Sequence, residues 1–342
     1  MRVTRESLLR LARETAQERA YNQADVLAVY LIGSLRSAEP FLGQNTDIDL
    51  VIVHETRPPL WREIVALPAG IHLDILHRAR ADYPPSRQLR LHPTLGHELY
   101  DAILLYERQP FFEFLQAGVR AGGEFSAPGS ICQRAFHLVA ESRRGWLALS
   151  QVSTWDAKEM NAWLETLAQA ANALMQLNGS PLTERRFLHD FSRRLAELQL
   201  QELFSPFLEL LGEFSGLLTE VQEWLPHWEN DFQAAAQTAT RVSDLHPARL
   251  QYYLQGIRHY LEGERPGFAL WPLLRTWTWA AMALPEEQRL HWLEFLRRLG
   301  WEKGVHSPRL EALDHYLDRV EETLESYANQ HGVNLDTLPH LL

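Results

Sequence analysis

Residues 31–53, LIGSLRSAEPFLGQNTDIDLVIV, constrain this chain more than any other stretch. Asp47 and Asp49 stand one residue apart at the head of an apolar run, Ile48, Leu50, Val51, Ile52 and Val53, whose composition reads as a strand over 47–53. Carboxylates are costly to bury unless they pair or bind a cation. The end of the strand that carries them must therefore open on a charged site rather than on the middle of a core. Alternate residues of a strand point to the same side, so Asp47 and Asp49 share a face.

Other strand signals surround this one. Val26–Ile32 is a short β-branched and aromatic run ended by Gly33, the run at 71–76 reads as a third strand, and 102–106 as a fourth. Thr4 is placed to cap a helix over 4–20. Pro58-Pro59 predicts a helix through about residue 67, Pro84-Pro85 a loop or short helix, and 94–100 and 110–121 further helices. Gly122-Gly123 marks a break. Beyond it apolar residues recur at three-and-four spacing over 133–149, 156–177, 183–200, 246–261, 270–282, 286–299 and 308–328. The expected organisation is an α/β domain at 1–125 followed by a helical domain at 126–342.

The net charge of −11 falls mostly on the second half of the 342 residues, which argues against a groove that tracks nucleic-acid phosphates. Cys132 is the only cysteine, so neither an intrachain disulfide nor a cysteine zinc site can form. The first twenty residues are amphipathic and charged, and no window approaches the length of a membrane span; the expected location is the cytoplasm, without membrane attachment.

Two carboxylates on one face repel unless a cation sits between them, and oxygen-only ligands favour Mg²⁺, which keeps waters and substrate phosphates in its shell. In HLDIL, at 72–76, Asp74 can complete an acidic triad if that strand lies beside the second. Gly33-Ser34 supplies a small corner where phosphate oxygens can approach the backbone, with amides of a following helix and the Ser34 hydroxyl facing the triphosphate tail. Phosphates on one side and carboxylates on the other equip a chain for phosphoryl or nucleotidyl transfer.

The pattern Ile32-Gly33-Ser34, twelve residues, then Asp47-Ile48-Asp49-Leu50, with Asp74 on a later strand, resembles the polymerase-β-like nucleotidyltransferase superfamily. The resemblance covers roughly 24–107; more loosely, ALMQLNGSPLTERRFLHDF at 173–191 looks like the helical half of aminoglycoside-nucleotidyltransferase-like proteins. It implies an α/β (α+β) nucleotidyltransferase domain with a small mixed sheet, then an all-α domain that supports acceptor binding, with the acceptor between them. It further implies two Mg²⁺ ions on Asp47, Asp49 and Asp74, and nucleotide contacts from Gly33, Ser34 and Arg36. Arg36 stands three residues after the motif glycine, where minimal members often place an arginine four residues after it. The implied reaction moves a nucleoside monophosphate, AMP first, from a nucleoside triphosphate to an acceptor hydroxyl. A small aminoglycoside-like molecule is the first acceptor, a protein hydroxyl as in adenylylating antitoxins the second, and a non-catalytic nucleotide-binding module the rival reading. Glu98, Arg87, Arg90, His54 and His77 are weaker candidates near these strands, and Trp271, Trp277 and Trp279 are expected to build core.

Overall fold

The computed structural model describes residues 3–213, 221–238, 243–302 and 306–337. The chain divides into two compact units: residues 1–125 together with 246–256, and the remainder.

The first unit is built on a five-stranded sheet in the order β3-β4-β2-β1-β5. Its strands are β1 (Val26–Ile32), β2 (Ile48–His54), β3 (Arg62–Ala66), β4 (His72–Ala79) and β5 (Ile103–Glu107). β2 and β4 run parallel, and the other neighbours antiparallel, so the sheet is mixed as expected. β1 and β2 sit inside and are apolar on both faces. On one face Val29, Leu31, Leu50, Ile52, Leu73 and Ile75 pack with Leu8, Ala12, Ala16 and Ala20 of α1 (Arg5–Asn22). Thr4 caps α1 by accepting from the Ser7 amide. On the other face Ala28, Tyr30, Val51 and Val53 meet Leu89 of α2 (Ser86–Leu91), Leu99 of α3 (Leu95–Asp101), and Phe112 and Val119 of α4 (Phe112–Arg120).

The helix expected over 58–67 is absent, and β3 takes its place at the sheet edge. Leu60, Ile64 and Leu67 mimic helical spacing, but the unpaired edge of β4 offers this segment a full set of backbone partners, from Arg62↔Leu76 to Ala66↔His72. Tertiary pairing outweighs local pattern there. The helix expected directly after Gly33 is also cut short: Ser34–Arg36 forms a single 3-10 turn.

The second unit is helical. α5 (Pro128–Ser150) and α6 (Ala157–Met175) pack along their length, and α7 (Phe187–Glu197), α8 (Phe204–Leu211), α9 (Val221–Thr238), α11 (Leu270–Ala283), α12 (Leu290–Arg298) and α13 (His306–Gln330) complete it. α10 (Leu250–Leu261) begins in the first unit and ends in this one. α8 and α9 had no counterpart among the expected helices. Trp271 and Trp277 are fully buried, donating to Glu184 (2.8 Å) and Asp231 (2.8 Å), and Trp279 lies under the Arg275 guanidinium at 5.0 Å. Cys132 is a buried free thiol. No helix among the described residues is long and apolar enough to cross a membrane.

Leu50 is wholly buried in the central strand, whereas Phe114 is 71% exposed on α4. Leu50→Ala should lower unfolding free energy in urea titrations by about 2–5 kcal/mol, and Phe114→Ser should stay within about 0.5 kcal/mol of the parent.

Candidate active site

The pairing of β2 with β4 positions the acidic residues. The register sets Asp49 beside Asp74, and adjacent parallel strands hold paired residues on the same face about 4.8 Å apart. On the other side Asp49 is opposite Ile32, the residue before Gly33. Asp47 precedes β2 by one residue and is buried, with its carboxylate 3.9 Å from His72 Nε2. The linker that delivers it folds back through a tight turn at Gly43 and Gln44, both with positive φ, closed by a Leu42–Asn45 bridge. Asn45 then donates to the Gly70 carbonyl at 3.1 Å, tying the linker to the loop before β4.

Gly33 has φ +72, and a Cβ built there would fall 1.7 Å from Asp49 Oδ2. A side chain is therefore excluded on two counts, backbone conformation and contact with the carboxylate. Ser34 Oγ lies 2.8 Å from Thr46 Oγ1, so the glycine-serine corner is tied to the residue before Asp47. Arg36 donates from Nε to the Gly33 carbonyl at 3.1 Å and approaches Asp101 at 3.6 Å. Gly33, Ser34, Asp47, Asp49 and Asp74 are thus brought together, and Arg36 braces the corner from behind.

Two arginines complete the constellation, and the sequence pattern pointed to neither. Arg62 of β3 grips Asp74 with a two-point fork, Nε to Oδ1 at 2.7 Å and Nη2 to Oδ2 at 2.6 Å. Arg249, in the 3-10 turn Pro247–Arg249, brings Nη1 to 3.7 Å from the same Oδ2. Reading 58–67 as a helix hid Arg62, and nothing local marks Arg249. Among the described residues no three histidine, cysteine, aspartate or glutamate side chains form a cluster able to hold a metal ion as they stand. Both oxygens of Asp74 are engaged by Arg62.

The neighbouring carboxylates are pushed in opposite directions. Burial penalises the charged form of Asp74, but hydrogen bonds from Arg62 and the charges of Arg249, Arg62 and His72 outweigh it and hold its pKa below the ordinary range. Asp49 goes the other way. Burial first, then the charges of Asp47 and Asp74, push its pKa well above the ordinary range against the pull of Arg249 and Arg62. Among the described residues no donor hydrogen-bonds Asp49. Burial and then Arg249 also hold His246 below the ordinary imidazole range, against the charge of Asp74.

The weaker candidates fall elsewhere. Glu98 receives both arms of Arg78 (2.5 and 2.9 Å) and the Tyr30 hydroxyl (2.7 Å), a closed network without a free base. His54 and His77 bond each other at 2.9 Å on the α1 side of the sheet, opposite Asp49. Arg90 donates to the Gly118 carbonyl at 2.9 Å, and Arg87 is exposed.

No protein-family description matches the chain, and no curated protein matches it. Among solved structures it is similar to a nucleotidyltransferase-like protein from Exiguobacterium sibiricum 255-15, at 12% identity over 95% of this chain and 92% of that one, with a TM-score of 0.30. A likeness at that level carries no structural argument.

Gly33→Ala should cost about 1–3 kcal/mol of stability, read by chemical denaturation, since it combines a disfavoured backbone conformation with a displaced carboxylate. Asp49 gives the opposite sign. A carboxyl whose native pKa is raised stabilises fully below the unfolded pKa, and that stability is lost as pH rises through the native value. Asp49→Asn should therefore melt above the parent at neutral pH in chelator-treated buffer. The difference should shrink as pH falls towards about 4, the unfolded aspartate value.

Proposed function

We propose that this chain is a nucleotidyltransferase that moves a nucleoside monophosphate, AMP first, from a nucleoside triphosphate to an acceptor hydroxyl. The observation that carries this reading is the in-register pair Asp49 and Asp74, with Asp47 alongside and the bare Gly33 backbone against the Asp49 carboxylate.

Asp47 and Asp49 fit a divalent cation: they are neighbouring carboxylates, and burial first, then the charges of Asp47 and Asp74, raises the Asp49 pKa. Asp74 fits as a third ligand once Arg62 withdraws. Mg²⁺ bound there, as two ions, would neutralise the phosphate oxygens and the charge that develops on the leaving pyrophosphate. The Gly33-Ser34 corner, with Arg36 behind it, admits the phosphates because no side chain projects from Gly33. Asp74 takes the proton of the acceptor hydroxyl, whose oxygen forms a bond to the α-phosphorus as the bond to the β-phosphate bridging oxygen breaks and pyrophosphate leaves. A small molecule with an aminoglycoside-like sugar hydroxyl is the first acceptor, and a protein hydroxyl is the second.

One observation favours a rival, a non-catalytic nucleotide-binding module: the carboxylate of Asp74 is engaged by a guanidinium. Catalysis and mere binding separate in one assay. The purified chain, incubated with labelled ATP, Mg²⁺ and pools of aminoglycosides or of protein acceptors, should release pyrophosphate and label an acceptor. Asp47→Asn should reduce release to background while leaving the melting temperature near that of the parent. Nucleotide binding with no release from any pool would favour the rival, and release that survives Asp47→Asn would put the chemistry elsewhere.

A further inference from the structure

Of the three carboxylates, Asp74 alone is held by a two-point guanidinium fork, and it is 5% exposed. The fork comes from the sheet edge, where Arg62 pairs with Leu76 and so projects on the same face as Asp74. Arg249 adds a second positive charge at 3.7 Å, with its guanidinium lodged over Tyr252 and Tyr253 at 5.9 and 5.3 Å. Next door, Asp49, in register with Asp74, receives no hydrogen bond from the described residues. The site therefore holds, side by side, one carboxylate gripped by a guanidinium and one without a hydrogen bond from the described residues.

A guanidinium and a divalent cation compete for the same carboxylate lone pairs. While Arg62 spans both oxygens of Asp74, a cation bound there would lose its ligand and sit beside two fixed positive charges. A group that can draw a guanidinium away must match its planar fork, and phosphate oxygens do so as well as a carboxylate does. We infer that Arg62, backed by Arg249, is a latch that keeps Asp74 from metal until a polyphosphate draws the arginine onto its own oxygens. Nucleotide then precedes full metal loading. Arg62 is a positioning residue: it acts through Asp74, first by masking it and then by releasing it. The inference rests on the nucleotide-site reading proposed above.

Manganese, a paramagnetic stand-in for magnesium, tests the latch without any turnover. Binding of Mn²⁺ to the full chain is read from the free-ion electron paramagnetic resonance signal, with and without a non-hydrolysable ATP analogue. The parent should bind Mn²⁺ weakly alone and more tightly with the analogue. Arg62→Gln, which removes a competing positive charge, should bind Mn²⁺ without nucleotide about tenfold more tightly than the parent, and Asp74→Asn in the Arg62→Gln background should erase that gain. Arg62→Lys keeps the charge but not the fork, and should fall between. If Arg62→Gln does not fold, Arg249→Gln, which removes only the second charge, should still give a smaller gain in the same direction. Unchanged Mn²⁺ affinity in a folded Arg62→Gln protein, or a gain that persists without Asp74, overturns the latch even where pyrophosphate release depends on Asp47. If no variant binds the analogue, the nucleotide reading fails, while an Asp74-dependent gain in Mn²⁺ affinity would still establish the mask.

Discussion

The parallel pairing of β2 with β4 is the constraint on which the first unit turns. It is the one parallel contact in the sheet, and its register sets Asp49 against Asp74 instead of one residue to either side. A slip of one position would send one of the two to the opposite face, among Leu31, Ile52 and Ile75 beneath α1. The buried aliphatic side chains of β2 prevent that slip, since every one of them would change faces with it. The hydrophobic core therefore fixes the distance between charges that the core itself could not tolerate.

Much of this was legible in the sequence. The limits of β1 coincide with the expected strand, and the Gly33-Ser34 and Asp47-Ile48-Asp49 elements meet as their spacing implied, because each is a short-range signal. Gly33 admits no side chain beside Asp49, and the apolar residues after Asp49 demand a central strand. What escaped was long-range. The segment at 58–67 carries the spacing of a helix, and only the exposed edge of β4 makes it a strand and so puts Arg62 on the face of Asp74. Arg249 has no local signature at all, and its role exists only because residues 246–256 fold with the first unit. The assembly of carboxylates was readable, but the cations that restrain one of them were not.

The second unit shows how aromatic residues with polar handles can suggest ligand chemistry and yet be structural. Trp163 donates to the Leu210 carbonyl at 3.1 Å, Trp228 to Thr276 at 2.9 Å, and Trp301 to the Leu211 carbonyl at 3.0 Å. Each indole fills space between helices and satisfies its single N–H within the core. Arg143 serves a similar end at the surface, where Asp314 and Glu321 of α13 accept from it at 2.6 and 2.7 Å and tie that helix to α5.

Residues 246–256 carry a consequence for biogenesis. A ribosome making this chain finishes the five strands by Glu107, yet the piece that supplies Arg249 emerges only after most of the helical sequence has been translated. At ordinary elongation rates the nascent sheet waits on the order of ten seconds for it. During that interval the acidic end of the sheet has Arg62 as a counter-charge and lacks Arg249, so the last step in building this corner is the arrival of a short segment from far downstream.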